Sequence, residues 1–424
     1  TAVGTFTDSG AFIVKHGEST VAHLPMEFMH DGCPQLKLES EWKPPVHPSP
    51  IYPDVDAHGM GEILERIMAR PNIASKEWWV RQYDHEVIAQ SVIKPFCGVN
   101  HDAPGDAAVI APLHGETRGA VVSCGIVPRY SDIDAYAMTA ASIDEAVRNA
   151  VCVGVDLDKI AGLDNFCWPD PIESEKTPDG RYKLAQLVRS NRALDDVCRA
   201  YNLPCISGKD SMKNDAKLDG QKISIPPTLL YTVLGDPQDV RKAVSSDFKD
   251  CGDTIFLLGE THQELGASEL SYMLAEETGG GIGNDVPQID TTRNLALYRA
   301  LTSAMSEGLV RSAHDCSDGG LAAAIAECCF GCDGGTTINL DGIEGVDNWA
   351  ALFGESLGRI VVTVSPENVQ RFGTIMAKHS VTKLGQVDDK ETLEFTRDQN
   401  TILSSNLSDL LQAWKGTLHM GGEA

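Results

Sequence analysis

Several short runs in this sequence place cation- and phosphate-binding side chains beside glycines that admit a ligand. Ala313-His314-Asp315-Cys316-Ser317-Asp318-Gly319-Gly320-Leu321 sets carboxylates and a hydroxyl before two glycines and an apolar segment. Leu321, Ala324, Ile325, Cys328 and Cys329 fall at i, i+3, i+4, i+7 and i+8, the stripe of a half-buried helix. Ser317 or Asp318 is the expected cap of that helix. A helix start carries unpaired N–H groups that hold phosphate, and a neighbouring carboxylate holds the accompanying magnesium. Taken alone, the run reads equally well as an ordinary capped loop.

Asp106 follows Gly105 and precedes the apolar Ala107-Ala108-Val109-Ile110, so its carboxylate is expected at a turn open to a ligand. Glu145 and Asn149 lie four apart and project from one helix face, away from Ile143, Ala146, Val147 and Ala150. Asp106, Glu145, Asn149 and Asp315 together would make an oxygen-only shell suited to magnesium rather than zinc. Ile206-Ser207-Gly208-Lys209-Asp210-Ser211-Met212-Lys213 is expected to form a polar turn, with Lys209 as a point charge for phosphate. It lacks the spaced second glycine of a Walker A loop, and a plain hairpin turn is the alternative. Asp164 is expected at the end of a strand, where it bonds a nucleotide hydroxyl or caps a turn before Pro169. Leu352-Phe353-Gly354-Glu355-Ser356, ahead of Arg359, reads as a structural polar loop.

The elements that must hold these residues alternate. Strands are expected at Ala107–Ile110, Gly119–Val122, Pro226–Leu234 and Ile360–Val364, and a buried one within Gly252–Gly259. Helices are expected at Met60–Met68, Ser142–Val153, Leu184–Tyr201, Leu295–Met305 and Leu321–Phe330. Two short strands, Gly10–Val14 and Thr20–Leu24, precede a proline-rich linker at Pro44-Pro45 and Pro48–Pro53. Forty residues of strand and turn bury no core, so the chain reads as beginning inside a domain. The 424 residues suggest two or three compact units. The excess of 61 acidic over 35 basic residues gives a formal charge of −26, which repels nucleic acid and anionic membrane. No apolar run reaches bilayer length and no signal peptide is evident, so the expected location is the cytoplasm. The 12 cysteines show no paired metal-ligand spacing; Cys328, Cys329 and Cys332 read as buried helix thiols.

Read together, the runs resemble phosphoribosylformylglycinamidine synthase, and in particular the second half of its large synthetase component. Gln82-Tyr83-Asp84-His85, Pro104–Val109, Glu145–Asn149, Asp164-Asn165-Phe166, Gly208–Met212, His314–Leu321 and Phe353–Ser356 occur in that family's order and separation. The resemblance implies an α/β (α+β) fold of the aminoimidazole ribonucleotide synthetase type. Its parts would be a remnant of a preceding domain (1–45), a linker and helix (46–74), an N-terminal-type α/β domain with a half-barrel sheet (75–245) and a C-terminal-type α/β domain (246–424). It implies an ATP-dependent ligase that converts formylglycinamide ribonucleotide and glutamine-derived ammonia to the amidine. It also implies magnesium with ATP or ADP, and as partners the first half of the synthetase and a glutaminase domain or subunit. Asp106, Glu145, Asn149 and Asp315 would be metal ligands; Asp164, Gly208, Lys209 and Ser317 would contact nucleotide, and Ser211 substrate. Catalytic residues are expected on the first half. Glu355-Ser356-Leu357 departs from the Glu-Ser-Gln of working substrate sites, which implies a retired, ADP-holding site. A non-catalytic scaffold, or another ATP-using member of the superfamily, is the alternative.

Overall fold

The computed structural model describes residues 1–82, 86, 88–332 and 334–418. Tyr83, Asp84 and His85 of the Gln82-Tyr83-Asp84-His85 run lie outside the described residues. The chain divides into two compact units, Thr1–Ser40 and Glu41 onward. In the first, β1 (Ala11–His16) and β2 (Ser19–Pro25) form an antiparallel hairpin followed by α1 (Met26–Asp31). Phe12, Ile13, Val21, Leu24 and Phe28 are exposed, as expected of a hairpin too small to enclose a core.

In the second unit, Asp56 caps α2 (Ala57–Met68) by accepting the Gly59 N–H at 2.9 Å. After α3 (Glu77–Val80), short strands β3 (Ser91–Ile93), β4 (Phe96–Cys97), β5 (Ala103–Pro104) and β6 (Ala108–Ile110) lead to β7 (Ala120–Gly125). Helix α4 (Ala135–Cys152), β8 (Ile160–Cys167), α5 (Gly180–Ala200), β9 (Cys205–Ser211), the hairpin β10 (Asp215–Leu218) and β11 (Gln221–Ser224), and β12 (Thr228–Gly235) follow. Six of these strands form one sheet in the order β3-β6-β7-β12-β8-β9, antiparallel except for β8–β9. Leu229, Tyr231 and Val233 alternate inward on β12 against α4 and α5.

The remainder builds a second layer. It comprises β13 (Thr254–Leu258), α6 (Glu269–Thr278), α7 (Thr291–Ser306), β14 (Ser312–Asp315), α8 (Gly320–Phe330), β15 (Thr336–Asn339) and α9 (Asn348–Phe353). Then come β16 (Ile360–Val364), α10 (Val369–Met376), β17 (Val381–Gln386), β18 (Thr392–Arg397), β19 (Asn400–Asn406) and α11 (Leu407–Gly416). Its sheets run β14-β16-β13-β17 and β15-β18-β19. One core joins Val121 and Tyr231 to Val147 of α4, Leu297 of α7 and Val362 of β16; a second encloses α8 against Leu257 and Phe395. Helix α8 is therefore buried on every side rather than along one stripe, because α2, α9 and α11 pack around it. Among the described residues no helix is long and apolar enough to cross a membrane.

Two local expectations are corrected. The run expected as a turn at Gly208–Met212 is largely strand β9, which among the described residues is an edge strand of its sheet; polar side chains are tolerated there because they face solvent. Asp164 sits inside β8, paired with Tyr231 on one side and Gly208 on the other, not at a strand end.

Candidate functional site

The acidic cluster lies where α4 of the first layer meets β14 and the loop into α8. Asp106, just before β6, gives Oδ1 to His314 Nδ1 at 2.8 Å, and His314 Nε2 reaches Glu327 Oε2 at 2.9 Å. The carboxyl is enclosed instead of lying on an open turn: its side chain is 3% exposed. Burial opposes an imidazolium here, but Asp106 and Glu327 hold the His314 pKa well above its usual range. Ligand atoms of Asp106, His314 and Asp315 all fall within 4.8 Å of one another. Ser317 Oγ donates to Asp315 Oδ2 at 2.7 Å and lies 3.3 Å from Glu145 Oε1, while Glu145 Oε2 accepts the Ile126 N–H at 2.7 Å. Asn149, one turn further along α4, donates Nδ2 to the Cys124 carbonyl at 3.0 Å.

A buried arginine enters this cluster. Arg148 pairs with Asp144 four residues before it, donates to Ser317 Oγ at 2.9 Å and lies 3.3 Å from Asp315 Oδ2. Asp144 Oδ1 also accepts from the Tyr201 hydroxyl at 2.5 Å, Tyr298 at 2.9 Å and Asn294 at 3.1 Å. One ion pair thus ties α4, the end of α5, α7 and the loop after β14. Sequence reading missed Asp144 and Arg148. Their i, i+4 acid–base spacing was the available signal, on a helix whose alanine- and valine-rich faces leave little room for solvated charge.

The helix start expected to hold phosphate is committed elsewhere. Gly319, at φ +80°, precedes α8 with no side-chain cap, so neither Ser317 nor Asp318 caps it. Glu355 does the work from a distance: its Oε1 accepts the N–H groups of Gly319 at 3.0 Å and Glu269 at 2.9 Å, at the starts of α8 and α6. Its Oε2 accepts from the Tyr130 hydroxyl at 2.9 Å, and Gly320 N–H bonds the Ser317 carbonyl at 3.0 Å. Beside it, Glu269 is held by Arg70 at 2.5 Å, Asn72 at 2.6 Å and Arg129 at 3.1 Å. Asn72, Arg129, Tyr130 and Glu269 line a small recess with Asp318, whose carboxyl is pushed up to about 7 by burial and by Glu269.

Two observations test whether the cluster fits a cation. Among the described residues, Asp106 Oδ2 and Asn149 Oδ1 are buried acceptors without a hydrogen-bond partner. Burial, then Asp315 and Asp318, push Glu145 up to about 8, so its anion is held back. Hard oxygen acceptors lacking donors fit magnesium, with Arg148 already balancing one side of Asp315.

The β8–β9 residues form a separate group. Asp164 and Gly208 are register partners, and a Cβ at Gly208 would lie 2.9 Å from both Asp164 carboxylate oxygens. Lys209 and Ser211 alternate to the opposite face, where the lysine Nζ donates to Ser211 Oγ. The structure therefore gives the four residues one strand pair but two faces.

Two α/β layers around this acidic junction define the class of protein. Residues 104–235 match the N-terminal domain of AIR synthase related proteins and residues 251–398 match their C-terminal domain. The chain belongs to the AIR synthase-related superfamily. Within it, the chain is similar to the phosphoribosylformylglycinamidine synthase subunit PurL of Anaeromyxobacter sp. (strain Fw109-5), at 32% identity over 97% of this chain and 52% of that protein. It spans about half the length of the curated relatives it matches. The fold is that of Thermotoga maritima PurL complexed with FGAR, at a TM-score of 0.64 and 17% identity, covering 86% of this chain and 55% of that one. The same protein complexed with ADP gives a TM-score of 0.58 at 17% identity, covering 78% and 50%.

Proposed function

We propose that this chain is the second half of a cytoplasmic, ATP-dependent ligase of purine biosynthesis, making formylglycinamidine ribonucleotide from formylglycinamide ribonucleotide and glutamine-derived ammonia. In this reading Asp106, Glu145, Asn149 and Asp315 hold magnesium and Ser317 contacts nucleotide. The observation that carries the reading is that Asp106, His314 and Asp315 bring ligand atoms within 4.8 Å of one another beside the unpaired Asp106 Oδ2, with Glu145 joined to Asp315 through Ser317. Similarity to PurL along nearly the whole chain supports it. Bound magnesium would offset the charge of nucleotide phosphates. Arg148 fixes Asp315 and Ser317 in orientation, and His314 with Glu327 fixes Asp106. Lys209, exposed, and Ser211, half-buried, on edge strand β9 are suited to reach phosphate and substrate on the first half, with Asp164 and Gly208 on the inner face of the same strand pair. Catalytic groups and the glutaminase belong to the rest of the enzyme.

The second reading is a scaffold held together by ADP. Glu355 favours it, because that carboxylate is committed to two helix starts and a tyrosine rather than left free for a substrate. Acid release and chromatography of nucleotide from the freshly purified chain tests the site. Near-stoichiometric ADP is expected, with affinity for magnesium–ADP at least tenfold weaker in Asp315→Asn. A chain that takes up no nucleotide even when magnesium and ADP are supplied would remove the site from both readings. Amidine formation by the chain together with the rest of the protein separates ligase from scaffold.

A further inference from the structure

Where α5 and β9 meet in the first layer, two sulfurs face each other. Cys198 Sγ, on the last turn of α5, lies 3.8 Å from Cys205 Sγ, the first residue of β9. Both contact the Tyr231 hydroxyl, at 3.3 and 3.4 Å. That hydroxyl rests over Gly162, where a Cβ would come within 1.9 Å of it. The tight turn between the cysteines is fixed by the Leu203 N–H bonding the Cys198 carbonyl at 2.8 Å. A surface hollow of about 850 Å³, lined by Leu194, Asp195, Asn202, Pro204 and the two cysteines, opens onto the pair. Cys205 is exposed and Cys198 is buried.

We propose that Cys198 and Cys205 form a reversible, peroxide-sensitive thiol pair that closes to a disulfide in the folded protein. A disulfide needs sulfurs about 2.05 Å apart, so closure takes side-chain rotation and a small shift at the start of β9. The chemistry has two steps. Cys205 thiolate attacks one oxygen of a hydroperoxide; the O–O bond breaks, leaving Cys205 sulfenic acid, and hydroxide takes up a proton to become water. Cys198 sulfur then attacks the Cys205 sulfur; the S–O bond breaks, and hydroxide leaves with the Cys198 proton as a second water. Two thiols and one hydrogen peroxide become one disulfide and two waters, the sulfurs losing the two electrons the peroxide gains. The order follows from access: Cys205 is exposed to the hollow, while Cys198 is buried, and that burial pushes its thiol up to about 12 and leaves it the resolving partner. Closure ties the start of β9 to α5. Among the described residues that strand otherwise pairs with β8 alone, and it carries Gly208, Lys209 and Ser211. The proposal needs nothing from the ligase reading.

The test is differential alkylation with mass spectrometry after brief treatment of the purified chain with hydrogen peroxide. Cys198 and Cys205 are expected to lose alkylation together, at least tenfold faster than the exposed Cys33 and Cys251, and to regain it with dithiothreitol. In Cys198→Ser, Cys205 is expected to become trappable by dimedone as the sulfenic acid, with no internal crosslink. The proposal is overturned if the pair stays alkylatable while Cys33 and Cys251 oxidise. Cys205 passing to sulfinic acid with Cys198 still a thiol overturns it equally.

Discussion

Replacing Arg148 with methionine isolates the junction between the two layers. The side chain is 1% exposed and pairs with Asp144, itself fully buried. Breaking a buried pair by removing one partner costs about 3 to 5 kcal/mol, since the remaining charge stays desolvated. Asp144 keeps the Tyr201, Tyr298 and Asn294 donors, which places the loss near the lower end, about 3 kcal/mol. Asp315 and Ser317 also lose a donor, so the loop after β14 loosens as well. Adding Asp144→Asn removes the stranded charge while keeping an acceptor for the hydroxyls. The double variant should therefore recover about 1 to 2 kcal/mol relative to Arg148→Met. Urea unfolding of the wild type, both single variants and the double variant, at one pH, measures the cycle. A single variant within about 0.5 kcal/mol of wild type, or strictly additive losses, would refute the idea that this pair joins the layers.

Two further outcomes follow from the same junction. Glu145 has a folded-state pKa raised from 4.5 to about 8, so its contribution to stability is complete below about pH 4.5 and is lost as pH rises through 8. At ~1.4 kcal/mol per unit the ceiling is about 5 kcal/mol, and because Glu145 is only half-buried as a residue the expected share is about 2 to 3. Glu145→Gln should thus gain about that much relative to wild type between pH 5 and 8 without magnesium; parallel stability–pH curves would count against it. Gly320→Ala should cost more than about 2 kcal/mol. A left-handed φ of +70° is strained for alanine, and its Cβ would meet the Phe353 and Gly354 backbone at 2.6 to 2.8 Å. An unchanged urea midpoint would show that this backbone yields.

Much of the architecture was legible because hydrophobic period survives burial. The expected strand Ile360–Val364 matches β16, and the periodic helices were found with their starts set late, as at α4, which begins at Ala135 rather than Ser142. The extra turns escaped because Ala135–Ala141 is buried nearly all round and so shows no stripe. Strand β9 escaped for the opposite reason: an edge strand needs no apolar face, and Ser207-Gly208-Lys209-Asp210-Ser211 has turn composition. The α8 cap escaped because its carboxylate, Glu355, lies 36 residues away in sequence, and local capping rules see only neighbours.

The candidate site shows where reading by spacing stops. Glu145 with Asn149 and Asp144 with Arg148 are both i, i+4 pairs on α4, offset by one residue and so by about 100° around the helix. The first pair is half-buried and leaves Asn149 Oδ1 unpaired; the second is fully enclosed and meets Tyr201, Asn294, Tyr298, Asp315 and Ser317. Spacing assigns each pair to a face, but what that face meets is decided by α7 and β14, which lie about 150 residues further along the chain. Helix α4 therefore serves two purposes at once. One side locks the layers together with a buried cation; the adjacent side carries Glu145 and the unpaired Asn149 Oδ1, where the proposed magnesium site would draw on it. The Asp315 carboxylate is where the two sides meet, so a change at either pair should be felt at the other.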